Sequence, residues 1–294
     1  MGGKVTRIKG DLDDVEALLE IINILKDVST NRFFAFVQQK ADFTKFLEIF
    51  LYFFERLENI DTQCPLIRND HPARDILVVT SDAGFMSALN SRVCNATFKE
   101  CQEVGSARIA CVGKKGADKC VQLGLKVDRL FEGMDDRYTS ALKVRDYLVE
   151  RVMTGETGGC RVVYIWPKSF NILKPRVVKL LPATELLSND EEGSVPVARG
   201  NKGLDFIQES TIDSIMKILA DLWVCARLFE ILTDTKLSEA ATQAQQLEAA
   251  VESLGAEKKA LMVSFKKASR DELNSAMREV FTSSSVIKTM KGKR

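Results

Sequence analysis

Helix-breaking residues are missing from both ends of this 294-residue chain. All six prolines fall between Pro65 and Pro196, no glycine lies between Gly10 and Gly84, and Gly255 is the only one between Gly203 and Gly292. Inside a helix proline costs about 3 kcal/mol and glycine about 1 kcal/mol. Two arms that exclude both residues, flanking a middle that accepts them, read as helix, compact domain, helix, with divisions at 1–64, 65–196 and 197–294.

Other absences narrow the function. Forty-two basic side chains balance 41 acidic ones, so the basic excess of a nucleic-acid binder is lacking. The seven cysteines, from Cys64 to Cys225, include no CxxC pair, and His71 is the single histidine. A zinc cluster and a secreted disulfide framework are both disfavoured, and reduced thiols in a cytosolic compartment are expected. Asp11, Asp13, Asp14 and Glu16 are incompatible with a signal peptide, and no uncharged apolar run reaches 18 residues, so no direct transmembrane segment is expected. The richest run, Phe46 to Phe54, is short and contains Glu48, which suits a buried helix face.

What is present is a heptad pattern. Leu237, Ala240, Ala244, Leu247, Val251, Leu254, Lys258, Leu261, Phe265 and Ala268 alternate spacings of 3 and 4, broken in polarity only by Lys258. Upstream, Ile212, Ile215, Leu219, Leu222, Ala226 and Phe229 keep the alternation one residue out of phase, a local adjustment of a supercoil. Such a stripe must face a partner helix. A helix from Leu204 to Phe281 would be roughly 115 Å long and cannot be covered by a small domain. The N-terminal arm supplies the cover: Ile8, Leu12, Val15, Leu19 and Ile22 alternate 4 and 3, and Leu25 and Val28 continue with a shift. From Asp11 to Asn59 it would span roughly 70 Å. A compact bundle would use the same stripes as core, but the turns it needs are missing.

Residues 74–185 alternate strand and helix signals: strands at 75–80, 108–112, 127–131, 161–166 and 176–181, and helices at 85–103 and 138–153. This order implies βαβ units and a mostly parallel sheet in a small Rossmann-like domain. The fold class is thus a long antiparallel coiled coil of the terminal helices plus a small α/β domain. Gly113-Lys-Lys-Gly116 follows a strand, yet it matches neither GxGxxG nor GxxxxGK[ST], so Lys114 and Lys115 are expected in a solvated turn. Ser81 and Asp82 follow a strand end, where one of them is expected to cap the next helix. A Ser-His-Asp arrangement would have to recruit His71 from a linker. No catalytic residue, cofactor or metal site is expected.

Several strings in order along nearly the whole chain, among them Thr80-Ser-Asp82, Leu89-Asn-Ser91, Gly113-Lys-Lys-Gly116, Leu180-Leu-Pro182 and Ser238-Glu-Ala-Ala241, resemble the gamma subunit of F-type ATP synthases. Val78-Val-Thr-Ser-Asp-Ala-Gly-Phe-Met-Ser-Ala-Leu-Asn-Ser91 resembles the family's strand running into Thr-Ser-Asp-Arg-Gly and then Leu-Asn-Ser. Val112-Gly-Lys-Lys-Gly116, Val163-Tyr-Ile-Trp-Pro-Lys-Ser-Phe170, Leu180-Leu-Pro182 and Leu237-Ser-Glu-Ala-Ala241 resemble further landmarks, and Phe265 to Val280 stands where the family has its last helix. The chain departs from the pattern at Ala83, where the family has Arg, at Ser87 and Ala88 in place of a glycine pair, at Thr242 and Gln243 in place of Arg-Met, and at Ser269 and Arg270 in place of Arg-Gln.

The resemblance implies a non-catalytic central-stalk rotor, whose arms form a shaft in a ring of alternating alpha and beta ATPase subunits. It implies contacts with that head at Lys26, Arg270, Asp271, Glu272 and Glu279. The middle domain, with Phe206, Gln208 and Glu209, would face the epsilon subunit and the membrane c-ring. The implied place is peripheral, on the cytoplasmic face of the inner (plasma) membrane. The alternatives are a coiled-coil scaffold or tether with a non-catalytic α/β domain, and a small α/β enzyme needing a ligand pocket beyond Thr80 and Val112.

Overall fold

The computed structural model describes residues 3–57, 62–105, 107–132, 136–183 and 210–291; the side chains of 46, 48–57 and 283–291 are not among those described. The elements run α1 (Gly3–Leu57), β1 (Arg74–Val79), α2 (Ser87–Val104), β2 (Ala107–Val112), α3 (Lys114–Gln122), β3 (Val127–Phe131), α4 (Arg137–Met153), β4 (Cys160–Ser169), β5 (Ile172–Leu181) and α5 (Ile212–Lys291). Contacts divide the chain into an arm unit, Met1–Ser29 with Ala244–Arg294, and a body, Thr30–Gln243. Both long helices contribute to each.

In the arm unit α1 and α5 run antiparallel. Lys26 pairs with Glu248 at 2.9 Å and Glu16 with Lys258 at 3.0 Å, so ten residues back along α1 match ten forward along α5. The less exposed positions of α1 include Val5, Ile8, Leu12, Val15, Leu19, Ile22, Lys26 and Ser29, an unbroken alternation of 3 and 4. The expected shift to Leu25 and Val28 is therefore corrected. Those two are 48% and 42% exposed, and polar Lys26 and Ser29 hold the seam instead. On α5 the seam falls where the heptads put it, at Leu247, Val251, Leu254, Lys258, Leu261, Phe265 and Ala268. Helix α1 also begins earlier than Asp11, because Val5 and Ile8 extend the seam past Gly10 and outweigh the cost of about 1 kcal/mol for a helical glycine. The Phe46–Phe54 run lies in α1; of its side chains only Leu47, 1% exposed, is described.

In the body a five-stranded sheet has the order β3-β2-β1-β4-β5. β1 is parallel to β2 and β4, and β2 to β3, whereas β5 is antiparallel to β4. Alternating side chains of β1 feed two cores. Leu77 and Val79 join Ala141, Val144 and Leu148 of α4 and Met216, Val224, Leu228 and Ile231 of α5. Ile76 and Val78 join Leu89 and Val93 of α2, Ala117 and Cys120 of α3, Phe33 of α1, and Leu237, Ala240 and Ala241 of α5. Covered on both faces, the strand reads as a continuous apolar run. Each fully buried Leu, Ile or Met contributes about 1.5–3 kcal/mol by leaving water.

Several sequence expectations change here. β4 and β5 are longer than expected, and Pro167 and Pro175 lie inside them. Proline is tolerated because β5 is an edge strand and Pro167 adjoins a register shift. Upstream of residue 237, Leu222 is 44% exposed while Met216, Ala220 and Trp223 are buried: α5 there packs on the sheet and α4 rather than in a two-helix seam.

Buried charges are paired. Arg151 of α4 donates from Nε to Asp75 at 2.6 Å and from a terminal nitrogen to Glu156 at 2.6 Å. Lys40 of α1 reaches Asp234 of α5 at 2.5 Å, and Asp234 is 2% exposed. Burial pushes the Asp234 carboxyl from an ordinary 3.8 up to about 6, against the pull of Lys40. Between those values the folded chain holds a proton that the unfolded chain has released. The stabilisation from the protonated form is thus present below about pH 4 and lost as pH rises to about 6. The shift corresponds to about 3 kcal/mol. Denaturant titrations at pH 4 and pH 7 should show Asp234→Asn losing about 2 kcal/mol less than the parent over that interval. An unchanged difference would disprove the assignment.

Candidate partner-docking site

The Gly113-Lys-Lys-Gly116 segment is not a free turn. Lys114 opens α3, and Asp82 accepts from the backbone nitrogens of Lys114 at 3.0 Å and Lys115 at 2.8 Å. The helix end where an anion would be welcome is filled by the chain's own carboxylate. Lys115 Nζ donates to the carbonyls of Asp82 at 2.8 Å and Ala83 at 3.3 Å, closing the loop further. The capping expectation is thus amended: Asp82 caps α3, while α2 has Met86 at its N-cap with no side-chain hydrogen bond. Ser81 takes a local role, its Oγ accepting from Ala83 N at 3.0 Å while its backbone bonds Asn90.

Thr80 plugs the space between β1 and α3. Its Oγ1 donates to Val112 O at 2.7 Å, and a Cβ placed on Gly116 would lie 1.9 Å from the Thr80 Oγ1. Only glycine lets α3 approach this closely, and Gly113, at φ +98°, makes the preceding turn. Beside the loop is an open depression of about 400 Å³ lined by Phe85, Ser87, Asn90, Lys115, Asp118 and Lys119 among others. His71 accepts from Ala73 N just before β1, whereas Ser81 lies just after it, so the two are separated by the strand's length, roughly 20 Å. A Ser-His-Asp triad is thereby ruled out for these residues.

Among the described residues no group of three or more His, Cys, Asp or Glu could hold a metal ion. All seven cysteines are free. Cys94 and Cys120 stand 3.3 Å apart, and hydrogen bonding among neighbouring thiols, together with burial, pushes their pKa values up, Cys120 to about 12. Such thiols stay protonated and unreactive.

The arm unit shows a different surface. Leu18, Ile21, Leu25 and Val28 of α1 are 42–54% exposed, and Ile24 reaches 57%. Their spacing of 3, 4 and 3 makes a second stripe beside the seam, visible in the sequence but read there in part as the seam itself. On α5, thirteen residues forward from Lys258 is Asp271, and thirteen back from its partner Glu16 is Gly3. Residues past Asp271 therefore have no described α1 residue opposite. In that stretch Leu273, Met277, Val280 and Phe281 are 53–74% exposed. Arg270, Asp271 and Glu279 are exposed there too, and Glu272 continues the seam register. Lys26 faces inward to Glu248. Phe206, Gln208 and Glu209 lie outside the described residues. Exposed apolar side chains in such rows mark surfaces that meet another protein.

An antiparallel pair of long helices continuous with a five-stranded α/β body is the class that this fold defines. A family model described as ATP synthase matches residues 4–285, and the chain belongs to that ATP synthase family. It is similar to the ATP synthase gamma chain of Halothermothrix orenii, 23% identical over 228 residues, covering 76% of this chain and 77% of the relative. It shares the fold of a chain in the Euglena gracilis mitochondrial ATP synthase, 15% identical with a TM-score of 0.61, covering 99% of this chain and 97% of that one. A chain in a structure of the central stalk and c-ring of the Tetrahymena thermophila mitochondrial ATP synthase aligns at 13% identity and TM-score 0.58, covering 78% of this chain and 99% of that one.

Two glycines should respond oppositely to a methyl group. Gly116→Ala meets Thr80 and should lose about 2–3 kcal/mol in urea unfolding. Gly255→Ala, in open space within α5, should gain about 0.5–1 kcal/mol.

Proposed function

We propose that the chain is the gamma, central-stalk rotor subunit of an F-type ATP synthase. Its arms turn inside a ring of alternating alpha and beta ATPase subunits, and its body docks on the membrane c-ring and the epsilon subunit. Membership of the ATP synthase family supports this reading. The observation that carries it is the row of exposed apolar residues on α5 past Asp271. The chain carries out no bond chemistry itself and is peripheral to the membrane, on its cytoplasmic face; among the described residues no helix is long and apolar enough to cross one.

The work is differential binding. A rotor whose faces differ favours one nucleotide state in each beta subunit in turn. Moving a two-state subunit from 1:99 to 99:1 needs about 10⁴-fold differential affinity, or about 5.5 kcal/mol. At about 25 cal/mol per Å² that is about 220 Å² of apolar surface covered in one state and bare in the other. A few side chains the size of Met277, Val280 and Phe281 carry that area. Arg270, Asp271, Glu272 and Glu279 add charge to the contact, Lys26 is taken up in the seam by Glu248, and Phe206, Gln208 and Glu209 belong to the membrane-side contact.

The direct test purifies tagged chain from native membranes in mild detergent. Alpha and beta subunits should co-purify in equal amounts, each in excess of the tagged chain, with ATP hydrolysis in the eluate. Recovery of the chain alone or as a homodimer would overturn the proposal in favour of a scaffold. As a finer check, Asp at Met277, Val280 and Phe281 should leave the isolated chain's stability within about 0.5 kcal/mol per site, yet weaken its capture of alpha and beta.

A further inference from the structure

Torque reaching the body has to pass into α1 and α5, through close-packed side chains that transmit strain and through directed polar contacts that fix which groups face each other. Among the described residues, Arg137 makes directed contacts with both helices. Arg137 opens α4, where the Asp136 carboxylate accepts from the backbone nitrogens of Tyr138 and Thr139 and pins the helix start. One terminal guanidinium nitrogen donates to Thr233 Oγ1 of α5 at 3.0 Å, and the other donates to Gln39 Oε1 of α1 at 2.9 Å. The same guanidinium lies 4.9 Å from the ring centroid of Phe36 and 5.2 Å from that of Phe229. Phe36 and Gln39 are three residues apart on α1, and Phe229 and Thr233 four apart on α5, so each helix offers one face with a ring and an acceptor.

We infer that Arg137 is the positioning residue that locks α1 and α5 in rotational register with each other and with the α/β body, so that the two helices turn with the body as one. The inference rests on the rotor reading. A guanidinium suits the role because its nitrogens are fixed in one plane and bond in two directions at once, which a lysine ammonium on a flexible stem does not reproduce. Arg145 of the same helix provides a contrast: it pairs with Asp221 of α5 at 2.7 Å and, among the described side chains, with no residue of α1.

The experiment places variant chains in the complete ATP synthase complex in sealed vesicles and measures ion-driven ATP synthesis against ATP hydrolysis. The parent complex tests the rotor reading first: if it lacks alpha and beta subunits, that reading fails before any variant is compared. Given an assembled parent, Arg137→Ala should keep hydrolysis and lower the ratio of synthesis to hydrolysis at least about twofold. Arg137→Lys should fall between, and Arg145→Ala should leave the ratio unchanged despite losing its own ion pair. Should Arg137→Ala fail to assemble, the double variant Gln39→Leu with Thr233→Val removes both acceptors while leaving the arginine in place, and it should lower the ratio likewise. An unchanged ratio in whichever of these assembles, or an equal fall in Arg145→Ala, overturns the inference.

Discussion

The apolar stripe of α5 has to be covered, and only a second long helix can cover it. In the arm unit that cover is α1, and the seam is too simple to choose its own register, since a heptad of Leu, Ile and Val packs almost as well after a slip of seven residues. The choice falls to the polar seam positions. Lys258 meets Glu16, and a one-heptad slip would set it against Lys9 or Asn23. Glu248 meets Lys26, and the same slips would offer it Phe33 or Leu19. Exposed pairs of this kind contribute at most about 1 kcal/mol each. Their weight lies in excluding alternatives, as polar seam residues do in coiled coils generally.

The body answers a different demand. A parallel sheet needs both faces covered, so α1 and α5 serve there as core helices as well, with Phe33, Leu47, Leu228 and Leu237 in the packing. Nearly every side of α5 from Trp223 to Thr242 is consequently buried, including Asp234, whose charge is tolerated because Lys40 reaches it. The loops after β1 and β2, at the end of the sheet where an α/β protein commonly holds a ligand, are held closed by the chain's own groups, with one open depression beside them. Asp82 stands at the α3 terminus, and Thr80 fills the gap beneath Gly116. Chemistry-bearing residue types are present, but they are used for closure. The unfilled surface lies instead on the helices, where rows of Leu, Ile, Val, Met and Phe stay in water.

The sequence by itself determined the division into helical arms and α/β middle, because the penalties for Pro and Gly in a helix are local and leave a visible gap in their distribution. It also determined the α5 seam from Leu247 to Ala268, since one face of a helix repeats every 3.5 residues whatever its partner; the same heptad at Leu237 and Ala240 packs on the sheet instead. The centre of every strand was legible for the same reason, from short runs of β-branched residues. What only the tertiary structure decided depends on neighbours remote in sequence. Leu25 and Val28 lost the seam to Lys26 and Ser29 because the unbroken alternation of 3 and 4 runs on to Phe33, which is buried in the body. Pro175 could lie within a strand because β5 is at the edge of the sheet. Gly113-Lys-Lys-Gly116 became a closed helix start through Asp82, thirty-two residues away from Lys114. Arg137 found Gln39 and Thr233 at separations of 98 and 96 residues. Periodicity is written along the chain, whereas the partner of a single polar group is set by which elements the fold brings together.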